Sequence, residues 1–306
     1  GAYKKMKGYF VLVLFAQQVL GGLAFPLAKY GLTQIDPFTF AFFRFVFAAI
    51  ALLTITKLRK NNPPVEKKDY IKIVGLGALI IFGNQTAYLF GQKMTAASHA
   101  ALIFATVPIW LFIAALIHLK EKFVLRRGIG VVLGLVGVLI IIRGGAVKID
   151  SQYLYGDLII LAAVLAWVYY TILGKPLVMK YGALRVTAYC LASGAALYAP
   201  FGLYRACSFD YRAVSPAAWL SVFYMALGVS VAAYVLWYWL LKHFEASRLA
   251  AFQNIQPVIA AAAAIFFLGE PLDNTLIFGG LIVLTGVIIT ESRGPTEPVR
   301  KTPRQE

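Results

Sequence analysis

Apolar residues in this chain form long uninterrupted runs, separated by short clusters of charged residues. Each run is roughly 17 to 25 residues long, the length an α-helix needs to cross a hydrocarbon core of about 30 Å. Ten such runs occur, at residues 8–29, 36–56, 71–91, 97–118, 127–143, 156–175, 185–204, 216–241, 248–268 and 274–290. The pattern predicts an all-α integral membrane protein with ten transmembrane helices.

The fourth and ninth runs are copies of each other. A serine, a proline, a glutamate and two glycines each recur 149 positions later, in the pairs Ser98/Ser247, Pro108/Pro257, Glu121/Glu270, Gly130/Gly279 and Gly137/Gly286. Each copy holds five spans, and an odd number of spans inserts the second copy upside down relative to the first. We therefore expect two inverted five-helix repeats, residues 1–149 and 150–292, followed by a disordered cytoplasmic tail at 293–306. Inverted repeats of this kind are typical of secondary transporters that work by alternating access.

Basic residues are distributed unevenly between the predicted loops. The net charge is +16, which by itself could indicate a nucleic-acid partner. If both termini are cytoplasmic, however, 22 Lys and Arg residues fall on the cytoplasmic side and six on the other. This asymmetry follows the positive-inside rule, so the lipid bilayer explains the charge and nucleic acid is not needed. We expect a multi-pass protein of the cytoplasmic (inner) membrane, as a monomer or homodimer.

Several motifs resemble one known superfamily. The stretch at residues 37–45 resembles the arginine-bearing second helix of the drug/metabolite transporter superfamily. Residues 97–121 and 246–272 resemble its helices with a central proline and a closing glutamate, and residues 156–167 are also similar to it. The likeness covers about residues 8–290 and is strongest to the EamA branch of ten-helix carriers, although the first span lacks a tryptophan often found there. The resemblance implies a metabolite or drug carrier with a central cavity, without specifying its cargo.

Arg44 is the one charged side chain well inside a predicted span. Burying a guanidinium is costly unless it finds a partner or water, so Arg44 either receives an anionic group of the substrate or anchors a neighbouring helix. Pro108 and Pro257 lie near the predicted midplane at equivalent positions of the two repeats. Because an interior proline removes a backbone hydrogen bond, the pair predicts hinges beside a central cavity.

Amide and aromatic side chains share faces of several predicted helices. Gln85 and Tyr88 lie on one face of the third helix, Trp167 and Tyr170 on one face of the sixth, and Ser230, Tyr234 and Trp237 on one face of the eighth, with Gln253 beside the proline of the ninth. Amides that faced lipid would be costly, so we expect these residues to line a polar and aromatic pocket. Hydrogen bonding that only joins the helices is the alternative.

Acidic residues are absent from the centre of every predicted span. A proton-coupled carrier often uses such a carboxylate, so the sequence favours facilitated or exchange transport, with Glu121 and Glu270 as marginal proton sites or helix-end ion pairs. The histidines have no metal-site spacing and no ATP-binding motif occurs, so no cofactor is implied.

The leading hypothesis is therefore a secondary transporter that exports a small organic solute, amino-acid-like or another metabolite. A choline-like quaternary ammonium is an alternative, because Trp and Tyr rings bind such cations. A nucleotide-sugar or phosphorylated solute is a further alternative. An enzyme is not expected, since no nucleophile, base or metal constellation is present. A membrane scaffold without transport activity is the remote alternative.

Overall fold

The computed structural model describes residues 2–59, 64–94, 103–142, 154–268 and 274–291. Throughout these ranges the regular secondary structure is helical, with no β-strand. The α-helices are α1 (Ala2–Leu32), α2 (Pro37–Leu58), α3 (Lys67–Ala78), α4 (Ala87–Met94), α5 (Val107–His118), α6 (Leu125–Ile142), α7 (Leu154–Tyr181), α8 (Ala183–Cys207), α9 (Pro216–Phe223), α10 (Tyr234–His243), α11 (Ala246–Ala250), α12 (Ile255–Leu268) and α13 (Asn274–Glu291).

Three non-α segments continue these helices without a break in the chain. The π-helical segment π1 (Leu79–Thr86) joins α3 to α4, and a second one, π2 (Tyr224–Ala233), joins α9 to α10. A 3-10 turn (Ala251–Asn254) joins α11 to α12. Each of these junctions lies inside one of the predicted apolar runs.

Within the described ranges, six helical segments are long and apolar enough to cross a membrane: Tyr9–Leu32, Pro37–Leu58, Lys67–Gly91, Leu154–Tyr181, Ala183–Cys207 and Pro216–His243. Two shorter apolar helices, Val107–His118 and Ile277–Thr290, accompany them. The all-α membrane fold predicted from the sequence is therefore confirmed. Ser98, Glu270 and the tail at 293–306 lie outside the described residues.

Two of the long helices begin at the sequence signals expected for them. Asp36 caps α2 by accepting a hydrogen bond from the Phe38 amide at 3.1 Å, and Pro37 occupies the first turn, where its missing N–H costs nothing. Ser215 caps α9 in the same way. At the Asp36 cap, Arg205 of α8 also donates to the carboxylate at 3.1 Å. Burial opposes ionisation there, but the hydrogen bonds and the Arg205 charge hold the pKa of Asp36 below its ordinary value.

Glycines let α6 and α13 pack backbone against backbone. A Cβ atom on Gly130 would lie 2.5 Å from the carbonyl oxygen of Gly286, and one on Gly137 would lie 2.5 Å from that of Gly279. Real side chains do not approach a backbone oxygen so closely, so only glycine fits at either crossing. The glycines predicted from the repeat thus serve close helix packing.

Pro108 and Pro257 lie at helix starts. Pro108 is in the first turn of α5, directly after a turn at residues 105–106, and Pro257 lies in the first turn of α12 after the 3-10 turn. Proline is well tolerated in a first turn, because the N–H it lacks would have no partner in the helix there. The helix changes geometry just before each proline, at matching places in the two halves.

Candidate substrate site

The two π-helical segments occupy equivalent places in the two halves of the chain. Adding 149 to residues 79–84 of π1 gives 228–233, which all lie in π2. A π-helical turn is wider than an α-helical turn and is found mainly at functional sites. In π1 the hydroxyl of Thr86 donates to the carbonyl oxygen of Ile81, five residues back, at 2.9 Å. These segments and the residues just after them carry the polar side chains that surround Arg44 of α2.

Arg44 lies at the centre of the polar cluster and is only 7% exposed. Its Nε donates to the Ser230 hydroxyl of π2 at 2.9 Å, and its Nη1 donates to the Gln85 side-chain oxygen of π1 at 3.1 Å. Within the described part of the chain no carboxylate pairs with it. A buried guanidinium held by neutral groups keeps its positive charge uncompensated, which suits either an anionic ligand or the joining of neighbouring helices.

Gln85 connects π1 to the start of α10. Its side-chain nitrogen donates to the Asn84 side-chain oxygen at 2.6 Å and to the Tyr234 hydroxyl at 3.3 Å. Asn84 in turn donates to the carbonyl oxygen of Ala163 in α7 at 2.8 Å. The amide is therefore held with its oxygen toward Arg44. Asn84 was not predicted as a site residue, although its place beside Gln85 in an apolar run was a usable signal.

Aromatic rings form the adjoining wall. The ring of Trp167 lies 5.9 Å from that of Tyr170, 5.4 Å from that of Tyr234 and 6.3 Å from that of Trp237. Tyr170 also stacks on Tyr238, with ring centroids 5.0 Å apart. Trp167 is half-buried, whereas Tyr170 and Trp237 are 1% exposed. Part of the Trp167 ring is therefore accessible, while Tyr170 and Trp237 are almost completely covered.

Two predicted site residues lie apart from the hydrogen bonds around Arg44. Tyr88 is half-buried in α4, where its ring packs edge-on against Phe104 at 4.9 Å. Gln253 is half-buried in the 3-10 turn that precedes Pro257. The structure thus joins Arg44, Gln85, Trp167, Tyr170, Tyr234 and Trp237, six of the eight predicted substrate residues, in one cluster.

The cluster combines a fixed positive charge, an amide and aromatic faces, which suits binding better than bond-breaking chemistry. Among the described residues, no group of three His, Cys, Asp or Glu side chains could hold a metal ion. The profile of the EamA-like transporter family matches residues 7–143 and matches again at residues 154–291. The chain belongs to the EamA-like transporter family. It is thus a membrane-embedded small-solute transporter and not an enzyme, as the sequence predicted.

Relatives of this transporter cover nearly its whole length. An uncharacterized transporter of Archaeoglobus fulgidus is 27% identical over 286 residues, 92% of this chain and 97% of that one. The uncharacterized transporter YetK of Bacillus subtilis is 28% identical over 290 residues, 94% of this chain and 88% of its own. An S-adenosylmethionine uptake transporter of Rickettsia prowazekii is 24% identical over 265 residues, 86% of this chain and 85% of its own.

A solved crystal structure has the same fold as this transporter. The two superpose with a TM-score of 0.78 at 18% sequence identity, over 92% of this chain and 98% of the other. At this identity the likeness concerns the fold alone.

Proposed function

We propose that this protein is a secondary transporter that moves an amino-acid-like solute across the cytoplasmic membrane by alternating access. The observation that carries the proposal is Arg44, a buried guanidinium that donates to the neutral Ser230 and Gln85 and pairs with no carboxylate among the described residues. A solute carboxylate would supply the negative charge that this cluster lacks. The half-buried Gln85 and Trp167 are the groups through which the solute would reach it.

The proposed mechanism needs two inverted five-helix repeats, residues 1–149 and 150–292, in a ten-helix protein. Two sets of contacts support it. Gln85 and Tyr234 are 149 positions apart, so they occupy the same place in each repeat, and their side chains meet. The glycine contacts show the same symmetry. Residues 130 and 279 are repeat equivalents, and so are 137 and 286. In the structure 130 contacts 286 and 137 contacts 279, which is the exchange of partners that a two-fold axis requires. Rocking of one repeat against the other about this axis would expose the Arg44 cluster to each side in turn.

The chemistry of the pocket favours a zwitterion. The carboxylate would bind Arg44 and Gln85, and the organic or cationic part would lie on Trp167 and Tyr234 through stacking or cation–π contacts. Relatives named S-adenosylmethionine uptake transporters act on an amino acid that also carries a sulfonium cation, which is compatible with both halves of such a pocket. A quaternary ammonium solute is the second candidate, because the aromatic wall could bind it without using Arg44.

We propose a cytoplasmic location for both termini, on the basis of the positive-inside charge distribution. We propose export as the direction, on the basis of the resemblance to metabolite carriers. The same arrangement can work in either direction, since a secondary carrier follows the gradients of its solutes. Flux measured in both directions across the same vesicles decides between export and uptake.

The test is solute flux in liposomes that contain the purified protein. Amino acids, S-adenosylmethionine, choline and a nucleotide-sugar are loaded singly, after a melting-temperature screen has ranked them, because a ligand that binds only the folded protein raises its melting temperature. We expect saturable flux of an amino-acid-like solute, and loss of that flux in Trp167→Ala with normal folding. Phe278→Ala is the matched control, because Phe278 is 63% exposed on the outside of α13. Choline flux without amino-acid flux would select the second candidate, and no flux of any solute would contradict transport.

A further inference from the structure

Glu121 is buried at one end of the helix bundle, in the loop between α5 and α6. Its side chain is only 6% exposed. One carboxylate oxygen accepts from the Ala246 amide at 2.8 Å, and the other accepts from the Ser247 amide at 2.9 Å. These two amides open α11, where a helix leaves its first N–H groups without internal partners. Glu121, from the first half of the chain, therefore caps a helix of the second half.

Lys175 of α7 completes this arrangement. Its Nζ donates to Glu121 at 3.0 Å and to the carbonyl oxygen of Phe244 at 3.0 Å, with its side chain 16% exposed. Alongside, Arg127 of α6 donates to the Ser247 hydroxyl at 2.9 Å and forms an ion pair with Glu245. We call Glu121, Lys175 and the backbone of residues 244–247 the latch. It joins the start of α11 to the α5–α6 loop.

The latch side of the Arg44 cluster is a tightly packed aromatic layer. Tyr170 and Trp237 of the cluster, together with Tyr238, are each 1% exposed or less. Trp237 donates to the Thr171 hydroxyl at 3.1 Å, and Tyr238 donates to the carbonyl oxygen of Tyr170 at 3.0 Å. Along α7 and α10 these residues come before Lys175 and Phe244, so the packed layer lies on the path from Arg44 to the latch.

We propose that the latch holds this end of the transporter closed, and that the bond between Glu121 and Lys175 must break for a solute to pass. The inference rests on the proposed alternating access. Opening this end would pull α11 away from the α5–α6 loop and separate the two charges. Opening would break this ion pair together with two charge-assisted hydrogen bonds from the α11 amides, so the latch favours the closed arrangement. At the same end Lys180 pairs with the exposed Glu66, which would contribute little, and at 2.8 Å with Asp69, whose side chain is 4% exposed. The Asp69 pair is thus a second contact between the halves at this end, and it stays intact in a Glu121 variant.

The test measures how readily the aromatic layer opens, without any solute. Thr171→Cys is placed in a parent that carries Cys190→Ala and Cys207→Ala, and the protein is labelled in lipid nanodiscs with a water-soluble maleimide. Thr171 is fully buried, so labelling requires opening. We expect Glu121→Gln to speed labelling at least tenfold. Glu66→Gln, the matched loss of one carboxylate at the same end, should change the rate less than twofold. A rate within twofold of the parent in Glu121→Gln would overturn the latch.

A second variant covers the case in which Glu121→Gln does not fold. Glu121→Cys and Ala246→Cys, joined by a short bifunctional thiol reagent before labelling, should slow labelling of the Thr171→Cys reporter at least tenfold. Labelling at the parent's rate in the cross-linked protein would also overturn the latch. Labelling and flux separate the two proposals: a protein that moves no solute but opens faster in Glu121→Gln keeps the latch and loses the proposed function. A protein that moves solute normally, but whose labelling rate is unchanged in Glu121→Gln, keeps the proposed function and loses the latch.

Discussion

Replacing Arg44 by glutamine tests the substrate site most directly. In the free transporter Arg44 makes two hydrogen bonds, to Ser230 and Gln85, and a bound carboxylate would add an ion pair. Truncating one partner of a buried charge pair costs about 2–5 kcal/mol, which is roughly 30- to 4,000-fold in dissociation constant. The carboxylate must compete with the existing hydrogen bonds, each worth about 1.5–3 kcal/mol when a charged group is involved. We therefore expect Arg44→Gln to weaken binding by about 30- to 300-fold.

The assay compares two ligands, the amino acid with the highest flux in the liposome screen and its decarboxylated analogue. Equilibrium binding to the purified protein gives the dissociation constants. Arg44→Gln should weaken the amino acid and leave the analogue nearly unchanged, because only the amino acid carries the group that Arg44 binds. Arg205→Gln is the control, since Arg205 lies at the Asp36 cap with its side chain 42% exposed. An equal loss for both ligands, or a loss below threefold, would refute a carboxylate contact and assign Arg44 to joining helices.

Two further predictions concern packing and pH. Gly137→Ala should lower the melting temperature by roughly 3–10 °C, because its Cβ would overlap the Gly279 carbonyl and overpacking costs about 1–3 kcal/mol. Gly128→Ala, whose Cβ would have its nearest neighbour at 3.7 Å, should not lower it, and equal losses would contradict the crossing. Burial opposes the charge of Glu121, yet Lys175 and the hydrogen bonds from Ser247 hold its pKa below the ordinary 4.5. Because the pKa is lowered in the closed latch, ionised Glu121 stabilises the latch fully above pH 4.5, and this stabilisation is lost as the carboxylate becomes protonated at lower pH. Labelling of the Thr171→Cys reporter, measured relative to an exposed cysteine, should therefore rise only below about pH 4.5. Glu121→Gln should lack this rise, and a rise near neutral pH would contradict the assignment.

The apolar runs predicted the helices well, because bilayer thickness sets the length of a spanning helix and its apolar side chains are visible in the sequence. They could not predict π1 and π2, whose extra width depends on what α3 and α9 pack against and not on local propensity. Pro108 and Pro257 were likewise expected inside helices, as hinges beside a central cavity, whereas they lie in first helical turns. A proline shows that the backbone pattern changes, but whether it lies at a kink or at a new start depends on the preceding turn, which tertiary packing decides.

The candidate site was only partly predictable. Arg44 was recognisable from sequence because a charge in an apolar run is costly, and Gln85 and Tyr234 followed from shared helical faces. Helical periodicity could not distinguish an accessible ring from a covered one: Trp167 is half-buried, while Tyr170 and Trp237 are almost completely covered. The contact of Glu121 with the start of α11 was also beyond the sequence, since it joins positions 125 or more residues apart.

Lys175 has no basic counterpart in the first half of the chain. Counting back 149 positions, the spacing at which the two halves repeat, gives Pro26. The repeat position of this ammonium group therefore carries no charge, and the contact that Lys175 makes to carboxylate and carbonyl is not duplicated there. Under the proposed alternating access, the two ends of the protein would close by different contacts. The two directions of passage would then begin from unequal starting populations.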